Sequence, residues 1–498
     1  MAETSPEATA DACLAQLEKM RAFLSGGDAA SMEHFEIETY VHDEGFELLR
    51  LVLQEAFDRR AADEARLEAV TGAGGVVHGA AEEGHARPLG TVVGTVTLSR
   101  WAYRHRGQAN LYPADADLNL PVGLHSHGCR QLAAIESARG SFEAAAEAIG
   151  RSSGSAVAKR QTEGLARAAS VDFEAYYQAA KAPVAEAGEV VVLSADGKGV
   201  VMRSEGLRAA TAAKAAKSDK KLKGRLSRGE KANRKRLAEV GAVYTLRPVP
   251  RSPDDVMARG DGGSAKKAPE AANKWLTASV VDDAAGVIAS VFDEAERRDP
   301  RHERTWVALV DGNNHQIDRI QAEAAAREIE VTIVVDWIHV LEYLWSAAWS
   351  FFDEGNAAAE DWVHDKAIDV LSGRASIVAA AIRRKATTLG LDDATRKNAD
   401  VCANYLLAKA PYLDYPTALE NGWPIATGVI EGACRHIVKD RMDITGARWG
   451  LEGAEAVLKL RVLRSNGDWD EYWKFHLAQE RTRVHEARYL DGVLPVAA

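Results

Sequence analysis

The chain reads as an α/β protein with a mixed central sheet covered by helices, preceded by a mainly helical region. Three features carry that expectation. The runs VVVLSA after Glu189, TWVALV before Asp311 and VTIVV before Asp336 are apolar on both faces, as strands inside a covered sheet are. The last two are separated by QIDRIQAEAAAREI, an amphipathic helical stretch, which makes a strand–helix–strand unit. Long segments on both sides place apolar residues at helical spacing.

In chain order, residues 11–70 read as helical, with Leu14, Leu17, Met20, Phe23 and Leu24 and then Phe46, Leu49, Leu53 and Phe57 spaced three or four apart. The glycine-rich stretch 71–90 predicts a loop or linker, and 90–104 has the β-branched alternation of a strand or hairpin. Residues 141–168 predict two short helices around Gly150–Gly154, a helix-turn-helix candidate that is equally an ordinary alanine-rich helical pair. EVVVLSADGKGVVMR predicts a strand ending at Asp196, a glycine turn and a second short strand; 241–249 predicts a third. Strands at 304–311 and 331–336 follow, then helices through about 341–420. After the prolines 411, 416 and 424 come three more helices, 428–443, 452–465 and 468–485. Trp337, Trp345, Trp349, Phe351 and Phe352 read mainly as core.

With 498 residues, 46% hydrophobic and 27% charged, the chain has material for two to four folded units, and wholesale disorder is excluded. No apolar run is long enough for a membrane span, and the N-terminus lacks the basic and apolar regions of a signal peptide, so a cytoplasmic location is expected. Cys13, Cys129, Cys402 and Cys434 form no CxxC pair, which argues against a disulfide framework or a cysteine-ligated zinc. His125 and His127 lack further ligands at metal spacing and read as loop residues. The net charge of −11 speaks against a nucleic-acid partner until its distribution is considered. Between Arg203 and Arg236, thirteen basic side chains stand against only Glu205, Asp219 and Glu230. This basic arm includes Lys220, Lys221, Lys223, Arg225, Arg228, Lys231, Arg234, Lys235 and Arg236, a composition suited to tracking a phosphate backbone.

Three carboxylates occupy special positions. Asp196 and Asp311 are each expected to end a buried strand just before a glycine, and Glu431 lies in the first turn or so of a helix. Carboxylates held rigidly yet open to a ligand suit hard divalent cations, and two such ions serve in-line phosphoryl displacement. The bland readings stand beside this one: an Asp-Gly turn, and a helix-surface pair between Glu431 and Arg435. Asp336 is expected to cap the helix starting at Trp337, a role compatible with its acting together with His339, and a set using Asp336 in place of Asp311 stays open. Lys439, Arg441 and Arg448 are candidate phosphate contacts or plain helix-surface charges.

The strings SADGKGVVMR, LVDGNNHQIDRI, VVDWIHVLEYLW and GVIEGACRHIVKDRMDITGARWGLEGAEAVLKLR resemble bacterial insertion-sequence DDE transposases of the ISKra group, mutator-like members of the RNase H-like superfamily. The resemblance runs over roughly 95–485. It implies an RNase H-like core, catalytic and metal-holding roles for Asp196, Asp311 and Glu431, and two Mg²⁺ or Mn²⁺ ions. Asp336 and His339 match an Asp-x-x-His pair of the wider superfamily. The cysteine pair that many relatives carry near the position of Tyr103–Gly107 is missing, so a zinc there is not expected, and His105 reads as a surface residue.

The implied partition is 1–90, helices and linker; 91–185, hairpin and helix-turn-helix-like DNA-binding region; and 186–342, the first part of the core with its arm at 203–236. A helical insertion at 343–424 and the glutamate helix with the C-terminal helices at 425–498 complete it. The activity implied is metal-dependent cleavage and strand transfer at the terminal inverted repeats of an insertion sequence, recognised by residues before 185. The implied partners are double-stranded terminal-repeat and target DNA, no membrane, and further copies of the chain assembled on DNA, in association with the nucleoid. An inactive relative acting as a DNA-binding repressor is the alternative. A two-carboxylate glycosidase needs no basic arm and predicts sugar-stacking aromatics near Asp196 that the sequence lacks.

Overall fold

The computed structural model describes residues 6–217, 234–258, 265–444 and 446–495. The chain forms two compact units: residues 1–179 with 467–498, and residues 180–466. No described helix is long and apolar enough to cross a membrane.

The first unit opens with α1 (Pro6–Leu24) and α2 (His34–Ala62). Thr9 donates to Asp58 and Gln16 to Glu44, both at 2.7 Å, tying the two helices together. The stretch 71–90, expected as a loop, instead carries short strands. These are β1 (Val70–Thr71), β2 (Val77–His78), β3 (Ala80–Glu82) and the start of β4 (Arg87–Thr91). Strands of two or three residues are too short to show a periodicity, which is why the sequence hid them. The expected hairpin is β4 with β5 (Gly94–Leu98), and β6 (Ala102–Arg104) pairs with β3. Leu53 and Phe57 of α2 pack on Leu89, Val96, Leu98 and Leu120. Beyond α3 (Pro113–Asp117) come α4 (His127–Arg139), α5 (Phe142–Ser152) and α6 (Lys159–Ala168), sharing a small core of Ala133, Ile149 and Val157, and then α7 (Phe173–Ala179). The helix Trp469–Glu480 belongs to the same unit, where Tyr472 donates to the carbonyl of Ala169 and His476 meets Asp172 at 2.6 Å.

The second unit is built on a five-stranded sheet ordered β11-β10-β7-β8-β9, flanked by helices. Its strands are β7 (Val190–Val201), β8 (Lys235–Leu246), β9 (Ala272–Ser279), β10 (Thr305–Val310) and β11 (Val331–Val335). β7, β8 and β9 pair antiparallel, while β10 and β11 add parallel to β7's other edge. This mixed α/β arrangement is consistent in general topology with an RNase H-like one. The strand expected to stop at Asp196 does not stop. β7 runs on through Gly197 because β8 matches it residue for residue, from Val190↔Leu246 to Val201↔Lys235. The two strands expected at 190–202 are therefore one, and the fifth strand is β9, which the sequence reading missed.

Between β7 and β8 lies α8 (Ala209–Ala216); Lys220, Lys221, Lys223, Arg225, Arg228 and Lys231 fall outside the described residues. Past β8 come α9 (Pro253–Met257), α10 (Ala284–Arg298) after β9, and α11 (Asn314–Ala326) between β10 and β11. The expected helical block is α12 (Trp337–Ala348), α13 (Ala357–Leu371), α14 (Ala375–Thr388), α15 (Asp393–Lys409) and α16 (Tyr415–Glu420). One apolar core runs from Val191, Val192 and Val307 of the sheet through Phe292 to Val340, Val378 and Leu406 of these helices. Trp337 lies in it, whereas Trp349 is partly exposed and stacks on Trp345 with ring centres 5.5 Å apart. The unit closes with α17 (Gly428–Ala433), a π-helical segment Cys434–Lys439, α18 (Asp440–Met442) and α19 (Leu451–Asn466).

Candidate functional site

Strand register brings the aspartates to one edge of the sheet. Ser194 pairs with Leu309 and Val310 with Val335, so two residues on from Ser194, and one on from Val310 and Val335, Asp196, Asp311 and Asp336 stand level. That level is the C-terminal end of β10 and β11, the usual place for ligands on an open α/β sheet, while the longer β7 carries Asp196 midway and runs on past it. A cavity of about 300 Å³ opens there, lined by Asp196, Asp311, Glu342 and Glu431 among the acids and by Lys198, Arg435 and Lys439 among the bases, with His339, Thr427 and Cys434. The three carboxylates singled out from the sequence thus share one cavity. Asp336 does not line it.

Asp336 is fully buried and its oxygens are used by main chain and imidazole. Oδ1 accepts from the Thr427 amide at 2.8 Å. Oδ2 accepts from the His339 amide at 3.1 Å, as a helix cap, and meets His339 Nδ1 at 2.7 Å. Both readings of Asp336, cap and partner of His339, therefore hold together. The Trp337 amide also donates to the Ile425 carbonyl at 2.7 Å, so the chain entering α17 is fastened to the start of α12. The Glu431 amide donates to the Thr427 carbonyl, and Thr427 Oγ1 donates to Glu431 Oε1 at 3.2 Å. One buried carboxylate thereby places both His339 and the turn that presents Glu431. His339 is held above the ordinary imidazole range by its bond to Asp336, against burial, with help from the charges of Asp336, Asp311 and Glu342. With Nδ1 engaged, Nε2 is the ring nitrogen left for a ligand.

Asp311 follows β10 and stays half-buried. Its Oδ1 accepts from the Asn313 amide at 2.8 Å, and its carbonyl accepts from the Tyr405 hydroxyl at 3.2 Å. Gly312 makes this possible: its φ is +91°, and a Cβ there would lie 2.7 Å from the Tyr405 hydroxyl. Asp196 Oδ1 accepts from the Gly197 amide at 2.7 Å, while Oδ2 holds the Lys198 ammonium at 2.8 Å. Burial opposes the charge on Lys198, yet its bond to Asp196 and the nearby Asp196, Cys434 and Asp311 hold its pKa above the usual lysine value. Burial, then the neighbouring Asp196, raises the Cys434 thiol. Across β8, Glu239 is pushed up to about 7, first by burial and then by Asp196.

The donor set fits hard divalent cations, since carboxylate oxygens dominate it. Among the described residues, the group of three acids or imidazoles whose ligand atoms all fall within 4.8 Å is Asp336, His339 and Glu431. Asp196, Asp311 and Glu431 line the cavity in a looser arrangement. Asp336 is fully buried, already accepts three N–H groups and does not line the cavity, so the carboxylates that do line it are the ones open to a ligand from solvent.

The cations expected at phosphates separate into two kinds. Lys439 lines the cavity, and Lys235 and Arg448 are exposed. Arg441 is 3% exposed and stacks over Trp449 at 4.6 Å, with its pKa lowered to about 10 by burial and then by Arg461. It is a core residue, not a phosphate contact. Arg236 bonds the carbonyls of Val280, Gly206 and Val281, so it ties strand ends together. Arg234 is half-buried beside it. The surface pair expected between Glu431 and Arg435 is not formed; the ion pair recorded for Arg435 is with Asp440, at 4.0 Å. The π segment explains this, because its extra residue per turn breaks the i,i+4 spacing on which that pair depended. Arg461 Nε donates to the Ile437 carbonyl at 2.8 Å, and the same guanidinium reaches the His436 carbonyl, supporting that segment.

Sequence reasoning missed Lys198, Glu342, Thr427 and Cys434 as cavity residues. Lys198 was within reach, because two residues on from Asp196 in a strand is the same face. The others depend on how α12 and α17 meet, for which the sequence has no local sign. No family model matches the chain, and no curated protein is significantly similar to it.

Proposed function

We propose that the protein is a DNA transposase of the DDE type, cutting and joining phosphodiesters at the ends of an insertion sequence. The observation that carries the reading is the meeting of Asp196, Asp311 and Glu431 around one cavity whose rim also bears Lys198, Arg435 and Lys439. Acids alone would repel a DNA phosphate; acids to chelate cations beside bases to hold the backbone suit it.

Asp196, Asp311 and Glu431 would hold two Mg²⁺ or Mn²⁺ ions. When bound, such a pair activates the attacking oxygen and neutralises charge on the leaving one. Arg435 and Lys439 draw the scissile backbone into the cavity. His339, fixed by Asp336, offers Nε2 toward the reacting groups. In the first step a water oxygen attacks the phosphorus at the element's end and the 3′-oxygen leaves with a proton. In the second, that 3′-hydroxyl attacks a target phosphodiester, with one P–O bond made and one broken, so no external energy source is needed. The α4–α6 cluster and the arm at 203–236 are the regions proposed to grip DNA, and the RNase H-like assignment of the sheet belongs to the same proposal.

The test is strand cleavage of DNA carrying the ends that flank the coding sequence, with and without Mg²⁺. The native chain is expected to nick it only with the cation. Asp311→Asn is expected to lose at least about a thousandfold of that rate while still binding the DNA. Binding with no metal-dependent nicking by the native chain would favour a DNA-binding repressor instead.

A further inference from the structure

Asp196 has two carboxylate oxygens with different fates. Oδ1 is committed to the main chain, accepting from the Gly197 amide at 2.7 Å. Oδ2 is turned to the cavity side chains, and the Lys198 ammonium sits on it at 2.8 Å. Lys198 leaves the same face of β7 two residues later, so a short stretch of rigid strand tethers the cation to the carboxylate. The Lys198 side chain is 48% exposed and that of Asp196 15% exposed, so the pair stands at the cavity wall, where the ammonium can swing into water. The Cys434 thiol also neighbours Asp196, but burial and that carboxylate raise its pKa, so it brings no positive charge to the pair. An ion entering from the cavity needs an oxygen of Asp196, and the one not spent on the backbone already carries a positive charge.

We propose that Lys198 is a tethered counter-ion that occupies Asp196 Oδ2 until a divalent cation displaces it, and thereby sets the cation concentration at which the site loads. This rests on the reading of the cavity as a divalent-cation site. Nothing is oxidised, reduced or transferred; one electrostatic partner replaces another. Lys198 is a positioning residue in this scheme, acting through Asp196.

The experiment is Mn²⁺ binding to the full chain without DNA, read from the loss of the free-ion paramagnetic resonance signal. Removing an ion pair at a half-exposed site is expected to tighten Mn²⁺ binding about threefold to tenfold in Lys198→Met. Lys198→Arg, which keeps the charge, is expected to stay within about twofold of the native chain and serves as the folding control. Lys439→Met removes a cavity cation that the structure does not pair with Asp196, and is expected to shift the affinity less. An unchanged affinity in Lys198→Met, or an equal shift in Lys439→Met, overturns the proposal. Asp196→Asn separates this from the broader reading. If that variant binds Mn²⁺ as the native chain does, the cavity is not the cation site and both ideas fall. If it binds more weakly while Lys198→Met is unshifted, only the role of Lys198 falls.

Discussion

Asp336 has no surface and three N–H donors, whereas Asp311 keeps a cavity face and one main-chain N–H donor to its carboxylate, and that difference separates their roles. Sequence placed both at the ends of buried strands, and the Asp-x-x-His spacing exposed the link to His339. It could not decide which aspartate faces a ligand, because the deciding partner, the Thr427 amide, lies 91 residues away. The two substitutions should therefore fail differently. Asp336→Asn puts an amide N–H against groups that are themselves donors, so it is expected to cost about 1–3 kcal/mol of stability, and nicking with it, by loosening His339 and the turn before Glu431. Asp311→Asn removes a carboxylate charge that the fold does not need, so denaturant midpoints should match the native chain while metal-dependent nicking disappears. Equal destabilisation by both would show that Asp311 is structural and the assignment mistaken.

Among the elements, those with a long apolar run were legible and those defined by partners were not. β10, β11 and the helices α12 to α15 were visible because each carries its own periodicity. β7 was cut short on paper because Asp-Gly is a turn signal in isolation, but a twelve-residue partner strand satisfies its backbone throughout. β9 escaped because only its second half is buried; Ala272, Asn273 and Lys274 are exposed and break the apolar pattern. The π segment after Glu431 had no signature at all. The sheet's fit to α10 gives an element-scale prediction. Gly241 pairs with Ala195 beside Asp196, and a Cβ on it would come within 2.4 Å of Val291 and 3.2 Å of Val287 on α10. These are stiff β-branched side chains in a packed core, so the helix itself has to move. Gly241→Ala is expected to destabilise the unit by about 1–3 kcal/mol in urea unfolding. A variant as stable as the native chain would mean that α10 is not seated on β8 as closely as described.

Across the whole chain, charge distribution carried more information than the net value of −11, yet the densest part of the basic arm lies outside the described residues. Nor does the sequence signal locally that residues 467–498 pack with the N-terminal unit. That union relies on pairs more than 300 positions apart, Asp172 with His476 and Arg483. Its polar interior makes the first unit sensitive to acid in two separable windows. His127 lies at the start of α4 with Nε2 2.8 Å from the Asn119 carbonyl. Burial is the largest influence on it and lowers its pKa to about 4. The unfolded chain then binds a proton that the folded chain refuses, so stability rises with pH. His127 therefore withdraws stability as pH falls from about 6.5 to about 4, roughly 2–4 kcal/mol in all. Asp172 works lower. Burial raises it, but its bonds from Arg483 and His476 outweigh that and leave its pKa below the ordinary carboxylate value. Its contribution is complete above about pH 4 and is lost only as pH falls through the depressed value. Urea unfolding of the full chain at pH 7, 6 and 5, followed by tryptophan fluorescence, should show the first window as a falling midpoint. His127→Gln keeps a donor for Asn119 but cannot be protonated, so its midpoint should fall less over the same range. If both chains lose stability in parallel between pH 7 and 5, a half-buried neutral His127 is not what makes the unit acid-labile.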